Sequence, residues 1–238
     1  VVKTVYMEVD VDPSQQVEEA EYVIALCQRD DNPMEAAVIS GRPASEAFGP
    51  YVRRFRDSPY IKGVRQVLHG AGTPAKYCLQ PEFVRGIQLL GELNLSFDLC
   101  VRPDELADAA ALIDRCPDTR FILDHCGNER PERSDHSAWQ KAIADVAKRK
   151  NVVCKVSGIV DKASQDWDAE ELAPVVLHTQ EVFGPERVMF GGDWPVCTLG
   201  GSLSSWVTAL KTIVANQPAA QQRRLFAENA ISLYGLSK

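Results

Sequence analysis

The sequence predicts an α/β fold, namely a (β/α)8 barrel of the TIM type to which this chain contributes seven of the eight strands. Seven apolar, strand-like runs alternate with stretches of helical spacing, as in a parallel sheet covered by helices. The starts of these runs span 186 residues over six intervals, about 31 residues per unit, so residues 1–238 are expected to form one domain. No G-x-G-x-x-G follows the first run and no Walker sequence occurs, so an open nucleotide-binding sheet loses its main support.

The strand-like runs are recognised by their apolar composition and by the turn-forming and helical segments between them. They are VVKTVYMEV (1–9), MEAAVIS (34–40), IKGVRQVLH (61–69), LSFDLCV (95–101), RFILDH (120–125), NVVCKVS (151–157) and RVMFG (187–191). A closed barrel of this type has eight strands. One unit is therefore expected to be missing, most simply the first, in keeping with the absence of an initiating Met.

Capping residues mark the helices between the strands. Asp12, followed by a proline and, three residues after the cap, a glutamine, predicts a helix start. A second helix is expected to begin at Asp104 and to end at Cys116, and a third, from about residue 170, to end at Gly184. The helix that follows residue 200 carries one apolar stripe, formed by Leu203, Trp206, Val207, Leu210 and Val214, and the last helix runs through Leu225, Phe226 and Ile231.

Charge and composition exclude several classes of protein. The net charge of −7 argues against a nucleic-acid or anionic-membrane surface, since both require a basic patch. The apolar runs are too short to span a bilayer and no basic-then-apolar leader opens the chain, so we expect a cytoplasmic protein. The seven cysteines show no C-x-x-C pair and are expected to be reduced packing residues. The sequence is compatible with a homo-oligomer as well as with a monomer.

Polar residues collect where the predicted strands end, which is where barrels of this type carry their active sites. They are Glu8, Asp10, His69, Arg102, His125, Ser157 and Asp193. Alternation along residues 120–126 places His125 on the face of Leu123, opposite Asp124. Arg65 and His69 likewise share a face and are expected to look into one pocket.

Each candidate also has a purely structural interpretation. His125 could be a core histidine with satisfied hydrogen bonds, and Asp193 could cap the helix that follows it. Lys155 lies within an apolar strand, where a cation needs a partner, and it predicts a buried salt bridge. Ion pairing or packing is an equally good interpretation for Glu8, Arg65 and His69.

Five fragments, taken in order, resemble the amidohydrolase-related superfamily, and within it the L-fuconolactonase-like sugar lactonases and the pyrone-dicarboxylate lactonases. They are YIKGVRQVLH, FILDHCGN, NVVCKVSGIV, ERVMFGGDWPVC and LFAENAISLYGL. The resemblance implies a distorted (β/α)8 barrel. It also implies a functional strand-end histidine at His125, a last-strand aspartate at Asp193 within GGDWP, and at Arg65 an arginine that holds substrate oxygens.

The chain departs from this family pattern at its beginning. Family members open with a strand bearing H-x-H, whose two histidines can bind a metal, whereas this sequence contains no H-x-H and its first residues resemble the second strand. On the pitch argument, about 40 residues are expected to be missing. The remaining ligand candidates, His125, Asp193 and Glu8, supply at most two or three ligands, too few for tight zinc binding. We therefore expect no tightly bound zinc in this chain, although a divalent metal such as zinc remains open for the full-length protein.

The resemblance and the strand-end residues together predict a hydrolase that opens a small sugar-acid or pyrone-type lactone with base-activated water. Asp193 would be the general base and His125 would polarise the lactone carbonyl. Arg65, His69 and Trp194 would bind the substrate, Arg65 through its forked donors. The two glycines before Asp193 would let the last strand end tightly against the barrel mouth, with Trp194 as a wall of the pocket.

Two other functions remain as alternatives. One is a metal-dependent decarboxylase of the same superfamily, which would use His125 and Asp193 to hold its metal. The other is a non-catalytic barrel that has lost its first strand. The expected partner is a small lactone or carboxylic acid, and neither nucleic acid nor a membrane is expected to bind.

Overall fold

The computed structural model describes residues 2–236 and shows seven parallel strands in one sheet, hydrogen-bonded in the order of the sequence. Each strand lies within the run that predicts it, and Val1 of the first run lies outside the described residues. The strands are β1 (Thr4–Met7), β2 (Met34–Ser40), β3 (Ile61–Val67), β4 (Ser96–Cys100), β5 (Arg120–Leu123), β6 (Val152–Val156) and β7 (Val188–Phe190).

Helices connect consecutive strands and cover the outside of the sheet. They are α1 (Gln16–Cys27), α2 (Phe48–Arg53), α3 (Pro81–Glu92), α4 (Leu106–Arg115), α5 (Ser137–Ala147), α6 (Ala169–Phe183), α7 (Leu203–Ile213), α8 (Ala219–Arg223) and α9 (Asn229–Tyr234). A π-helical segment, Arg224–Glu228, joins α8 to α9. Short 3-10 turns precede or interrupt the connections at Pro13–Gln15, Tyr77–Leu79, Pro103–Glu105, Val160–Lys162 and Val196–Leu199.

The capping signals in the sequence are confirmed at both ends of the predicted helices. The side chain of Asp12 accepts a hydrogen bond from the Ser14 backbone N–H at the turn that leads into α1. α4 stops at Arg115, immediately before the predicted end at Cys116. Gly184 ends α6 with a φ of 75°, a left-handed conformation that glycine adopts at little cost.

The sheet curls, so that residues on distant strands meet inside it. Nζ of Lys155 on β6 lies 3.1 Å from Sδ of Met7 on β1. An interior cluster fills the space between the strands, and Tyr234 of α9 closes it with a buried ring. Its buried members are Val38, Ile122, Met189 and Tyr234, with Val5, Met7, Val153 and Leu233 packed against them.

The described strands form a curled half-barrel with two edges. β1 pairs with β2 alone and β7 pairs with β6 alone among residues 2–236. A larger apolar core lies between the sheet and the helices and contains alternate residues of the same strands, such as Phe97 and Leu99 of β4. Burial on both faces of the strands is the pattern of a parallel sheet covered by helices, as the sequence predicts.

No helix within residues 2–236 is long and apolar enough to cross a membrane. All seven cysteines are buried as free thiols, in agreement with the predicted packing role.

Candidate active site

The polar residues of the candidate site converge at the carboxyl ends of the strands. Glu8 follows β1, Arg65 lies on β3, His125 follows β5, Ser157 follows β6 and Asp193 follows β7. Parallel strands bring their carboxyl ends to the same edge of a sheet, and the curl then brings the ends of β1, β3, β5, β6 and β7 towards one another. Within this region, contacts join Glu8 to Arg65, and His125 to Ser157 and Asp193.

Arg65 lies between two buried carboxylates. Its Nε donates to Oε1 of Glu8 at 2.6 Å and its Nη2 to the backbone oxygen of Glu8, also at 2.6 Å. Its Nη1 donates to Oδ2 of Asp124 at 3.1 Å. Both carboxylates are fully buried, whereas the arginine side chain is 12% exposed. Glu8 and Arg65 therefore form the ion pair that their structural interpretation predicts. Three N–H groups of the guanidinium are used in the contacts with Glu8 and Asp124.

Lys155 continues this charge network deeper into the sheet. Its Nζ lies 3.0 Å from Oδ1 of Asp124 and forms a second, short ion pair with Asp98. The predicted buried salt bridge of Lys155 is confirmed. Burial alone would raise the pKa of Asp124, but the neighbouring Lys155, His125 and Arg65 outweigh it and hold this pKa well below its usual range.

The buried acids Asp98 and Asp124 are site residues that the sequence does not predict. Asp98 lies on β4 in register with Ile122 of the interior cluster, and Asp124 directly follows β5; both side chains are buried. The available signal was the spacing of charged residues within apolar strands. Asp98 and Lys155 each interrupt such a run at an inward position, and two opposite charges of this kind predict each other as partners.

His125 reaches the site by a break in the backbone, not by strand alternation. Leu123 packs in the outer core, so simple alternation would direct His125 outward as well. Instead the chain turns directly after β5, with positive φ angles of 56° at His125 and 51° at Cys126. The turn redirects the imidazole, and its Nδ1 lies 2.9 Å from Oγ of Ser157. The expectation that His125 shares the face of Leu123 is therefore wrong, because strand geometry ends at Leu123.

Two glycines make room for the contact between His125 and Ser157. A Cβ at Gly158 would lie 2.2 Å from Nδ1 of His125, and one at Gly191 would lie 2.8 Å from Cβ of Ser157. Gly158 also has a φ of 57°, which disfavours a side chain. Gly191 was expected to permit close approach at the end of its strand. The side chain that approaches it is that of Ser157.

Asp193 faces His125 across a short gap. Its Oδ1 lies 3.7 Å from Nε2 of His125, and the carboxylate is 15% exposed. Within residues 2–236 its side chain caps no helix, since the next turn, Val196–Leu199, has Pro195 at its N-cap and no side-chain cap. Burial, with the added negative charge of Asp161, raises the pKa of Asp193 to about 6.

The imidazole of His125 is a neutral group at this site. Its burial lowers its pKa to about 3, despite the nearby negative charge of Asp124. A neutral imidazole has one N–H donor and one acceptor nitrogen, so it can donate to or accept from an oxygen without bringing in charge. A buried base near a neutral imidazole is a pair suited to proton transfer at neutral pH.

His69 and Trp194 lie farther out than expected. His69 follows β3 with an exposed side chain, and no side-chain hydrogen bond joins it to Arg65 in the described structure. The indole of Trp194, beyond the end of β7, is 69% exposed, and its role as a pocket wall stays a prediction.

The donor atoms available to a metal are few. Ligand atoms of Cys100, Asp124 and His125 lie within 4.8 Å of one another. Both oxygens of Asp124 are already in ion pairs, and burial raises the pKa of the Cys100 thiol to about 12, which disfavours the thiolate that binds metals. Glu8, predicted as a candidate ligand, is occupied by Arg65. Among the candidate ligands within residues 2–236, His125 and Asp193 are not ion-paired with an arginine or lysine, and two ligands are fewer than the three protein ligands of a catalytic zinc site.

A curled parallel sheet with a carboxylate and an imidazole at its carboxyl edge is the arrangement of barrel-type α/β proteins, whose active sites lie at that edge. The amidohydrolase family model matches residues 2–236 of this chain. The chain therefore belongs to the amidohydrolase family, a class of hydrolases.

Named relatives and solved structures agree with this assignment. The chain is 28% identical over 189 residues to L-fucono-1,5-lactonase of Burkholderia multivorans, an alignment that covers 74% of this chain and 63% of the lactonase. An amidohydrolase of Burkholderia multivorans with bound zinc has a TM-score of 0.88 at 23% identity, covering 100% of this chain and 84% of that one. For 5-carboxyvanillate decarboxylase of Sphingomonas paucimobilis the TM-score is 0.70 at 15% identity, with coverage of 100% and 80%. These two structures show a common fold.

Proposed function

We propose that the protein hydrolyses a small lactone by base-activated attack of water, with Asp193 as the general base. The observation that carries the proposal is the position of the partly buried Asp193 carboxylate, its pKa raised to about 6, 3.7 Å from Nε2 of a neutral imidazole. The likeness to L-fucono-1,5-lactonase supports the choice of a lactone as substrate.

The proposed reaction has two proton movements. The Asp193 carboxylate takes a proton from water as the water oxygen bonds to the lactone carbonyl carbon. When the ring C–O bond breaks, the same proton passes from Asp193 to the leaving ring oxygen, which becomes a hydroxyl. The products are the open hydroxy acid and the regenerated enzyme, with no other reactant consumed.

His125 is proposed to polarise the lactone carbonyl. If the Ser157 hydroxyl donates to Nδ1, Nε2 carries the N–H and points towards the pocket, where it can donate to the developing oxyanion. Arg65 is proposed to contact a substrate oxygen with the N–H groups that remain, since three of its five donors are used by Glu8 and Asp124. His69 and Trp194, on exposed positions at the same edge, are proposed to contact the outer part of the substrate.

We further propose that an eighth strand completes the barrel between β1 and β7. Both edges are unpaired on one side among residues 2–236, and the interior cluster spans the two. A strand of the H-x-H type at this place would add two imidazoles beside His125 and Asp193. The residues described do not by themselves fit a zinc ion, so no step here depends on one.

The test is turnover of the full-length enzyme with a panel of sugar lactones and pyrone lactones, followed as acid release. Carboxylated aromatic acids, assayed for release of carbon dioxide, serve as the comparison. Lactone hydrolysis that disappears in Asp193→Asn supports the proposal. Carbon dioxide release without lactone hydrolysis would establish the decarboxylase alternative, and activity on neither class would support a non-catalytic barrel.

A further inference from the structure

The cations at the carboxyl ends of the strands are each matched by an acid. We call these residues the strand-end cations; they are Arg42, Arg65, Arg102, Lys155 and Lys162. Within residues 2–236, each member of this group lies within 4.0 Å of a carboxylate oxygen. Lys76, on the long loop after β3, is exposed to solvent and is not a member of the group.

The two outer guanidinium groups are also tied to backbone oxygens. Arg102 donates to Oε1 of Glu105 at 2.9 Å and to the backbone oxygen of Gly70 at 2.6 Å. Arg42 donates to Oδ1 of Asp10 at 3.0 Å and to Oγ of Ser40 at 2.9 Å. Because these contacts hold each guanidinium against the protein, neither is a free fork for a substrate carboxylate.

Lys162 is the strand-end cation beside the proposed base. Its Nζ lies 3.2 and 3.1 Å from the two oxygens of Asp161 and 2.7 Å from the backbone oxygen of Gly158, the glycine that makes room for His125. The charges of both Lys162 and Asp161 act on Asp193, in opposite directions. Asp161 thus neutralises the strand-end cation that is bound to Gly158, directly beside the imidazole of His125.

His69, the histidine that follows β3, adds little positive charge at this edge. Desolvation, followed by the charges of Lys162 and Arg65, lowers its pKa. An arriving carboxylate would therefore meet Asp193 and Asp161, while each strand-end cation is already paired with an acid of the protein. Neutral hydroxyl groups would lose nothing by this arrangement.

We propose that the site selects lactones without a free carboxylate, and that Asp161 is the residue that determines this selectivity by neutralising Lys162. The inference rests on the proposed lactone hydrolysis and names its substrate class. It favours a neutral, polyhydroxylated lactone over a pyrone dicarboxylate.

The experiment compares hexono-1,4-lactones with hexaro-1,4-lactones of the same ring stereochemistry, which differ in a terminal CH2OH or carboxylate. kcat/KM is measured on the full-length enzyme at pH 7.5, and binding of both lactones is measured by calorimetry on Asp193→Asn. We expect the neutral partner to be preferred in both. Asp161→Asn should lower KM for the carboxylated lactone by roughly threefold, the effect of one partly exposed charge pair, and leave KM for the neutral one unchanged. Asp114→Asn, which removes an acid paired with Arg149 away from the strand ends, is the matched control.

The outcomes separate this inference from the proposed function. Selective binding of the neutral lactone without turnover would refute the hydrolysis and keep the selectivity. Equal or tighter binding of the carboxylated lactone, binding of neither, or an unchanged preference in Asp161→Asn would overturn the selectivity assigned here.

Discussion

A β-carbon at Gly158 would lie 2.2 Å from Nδ1 of His125, so the position of the imidazole depends on the absence of a side chain one strand away. Gly158 follows Ser157, the hydrogen-bond partner of the same nitrogen. Two consecutive residues after β6 thus determine where the ring after β5 lies.

Gly158→Ala is therefore expected to displace the imidazole. Misplacement of a catalytic group by about 1 Å costs roughly 10–10²-fold in rate, and we expect kcat to fall within this range. The left-handed φ of 57° adds a loss of about 1 kcal/mol in the free energy of unfolding. Lactone turnover and urea denaturation measure the two effects. Gly72→Ala, where a Cβ would meet nothing within 4 Å, is the control, and equal turnover in both variants would contradict the assigned constraint.

Asp193→Asn tests the general base. The amide keeps the shape of the carboxylate and tolerates the φ of 50° at this position, but it accepts no proton. We expect kcat to fall by ~10²–10⁴-fold with little change in melting temperature. His125→Asn should also lower kcat without unfolding the protein. Near-normal turnover in Asp193→Asn would remove this residue from the mechanism.

The pH profile tests the protonation state of the base. The pKa of Asp193 is raised to about 6, and the active form is the carboxylate, so activity is retained above pH 6 and lost as the pH falls through this value. We expect log kcat/KM to decline with unit slope below the inflection. Because Asp161 contributes to the raised pKa, Asp161→Asn should move the inflection to lower pH. A profile that stays level to pH 5 would exclude Asp193 as the titrating base.

Lys155→Met tests the buried charge network. Removal of the lysine leaves Asp98 and Asp124 without their shared cation in the interior. An unpaired buried charge costs about 3–5 kcal/mol, and we expect the free energy of unfolding to fall by this amount. Lys148→Met removes a lysine whose pair with Asp145 is exposed, and it should change stability by less than about 0.5 kcal/mol. Equal losses in both variants would show that the network contributes nothing specific.

Zinc binding tests the ligand count. His125 and Asp193 supply two pocket-facing donors in the described residues, so a chain of residues 1–238 should retain no stoichiometric zinc after dialysis. Plasma emission spectrometry measures the metal content, and His125→Asn serves as the comparison. Stoichiometric zinc that is lost in His125→Asn would show that other groups of this chain complete a site.

Much of the fold could be predicted because the apolar pattern of a strand, with a period of about 2 residues, differs clearly from that of a helix, with a period of about 3.6 residues. All seven strands lie within their predicted runs, and β2 matches its run, Met34–Ser40, at both ends. The helix limits at Asp12 and Gly184 followed from capping chemistry, which depends on neighbouring residues alone. The completed eight-stranded barrel is not part of the described structure and stays a prediction.

The site was less predictable, since its geometry depends on contacts between strands and on backbone breaks. Alternation misplaced His125 because the rule holds only within a strand, and the chain leaves β5 at Leu123. The partners of Arg65 are separated from it by 57 and 59 residues, so no local pattern identifies them. Lys155 was the exception, since an isolated cation in an apolar strand requires a buried partner wherever that partner lies.

Tyr234 lies inside the curled sheet together with residues from β2, β5 and β7. During synthesis, the strands leave the ribosome in order, and the ring that closes their interior follows all seven of them. The earlier strands must therefore remain incompletely packed, and exposed to chaperones or to premature association, until residue 234 has emerged. If α9 were shortened by one turn, Tyr234 would be lost and the interior of the sheet would stay incompletely packed.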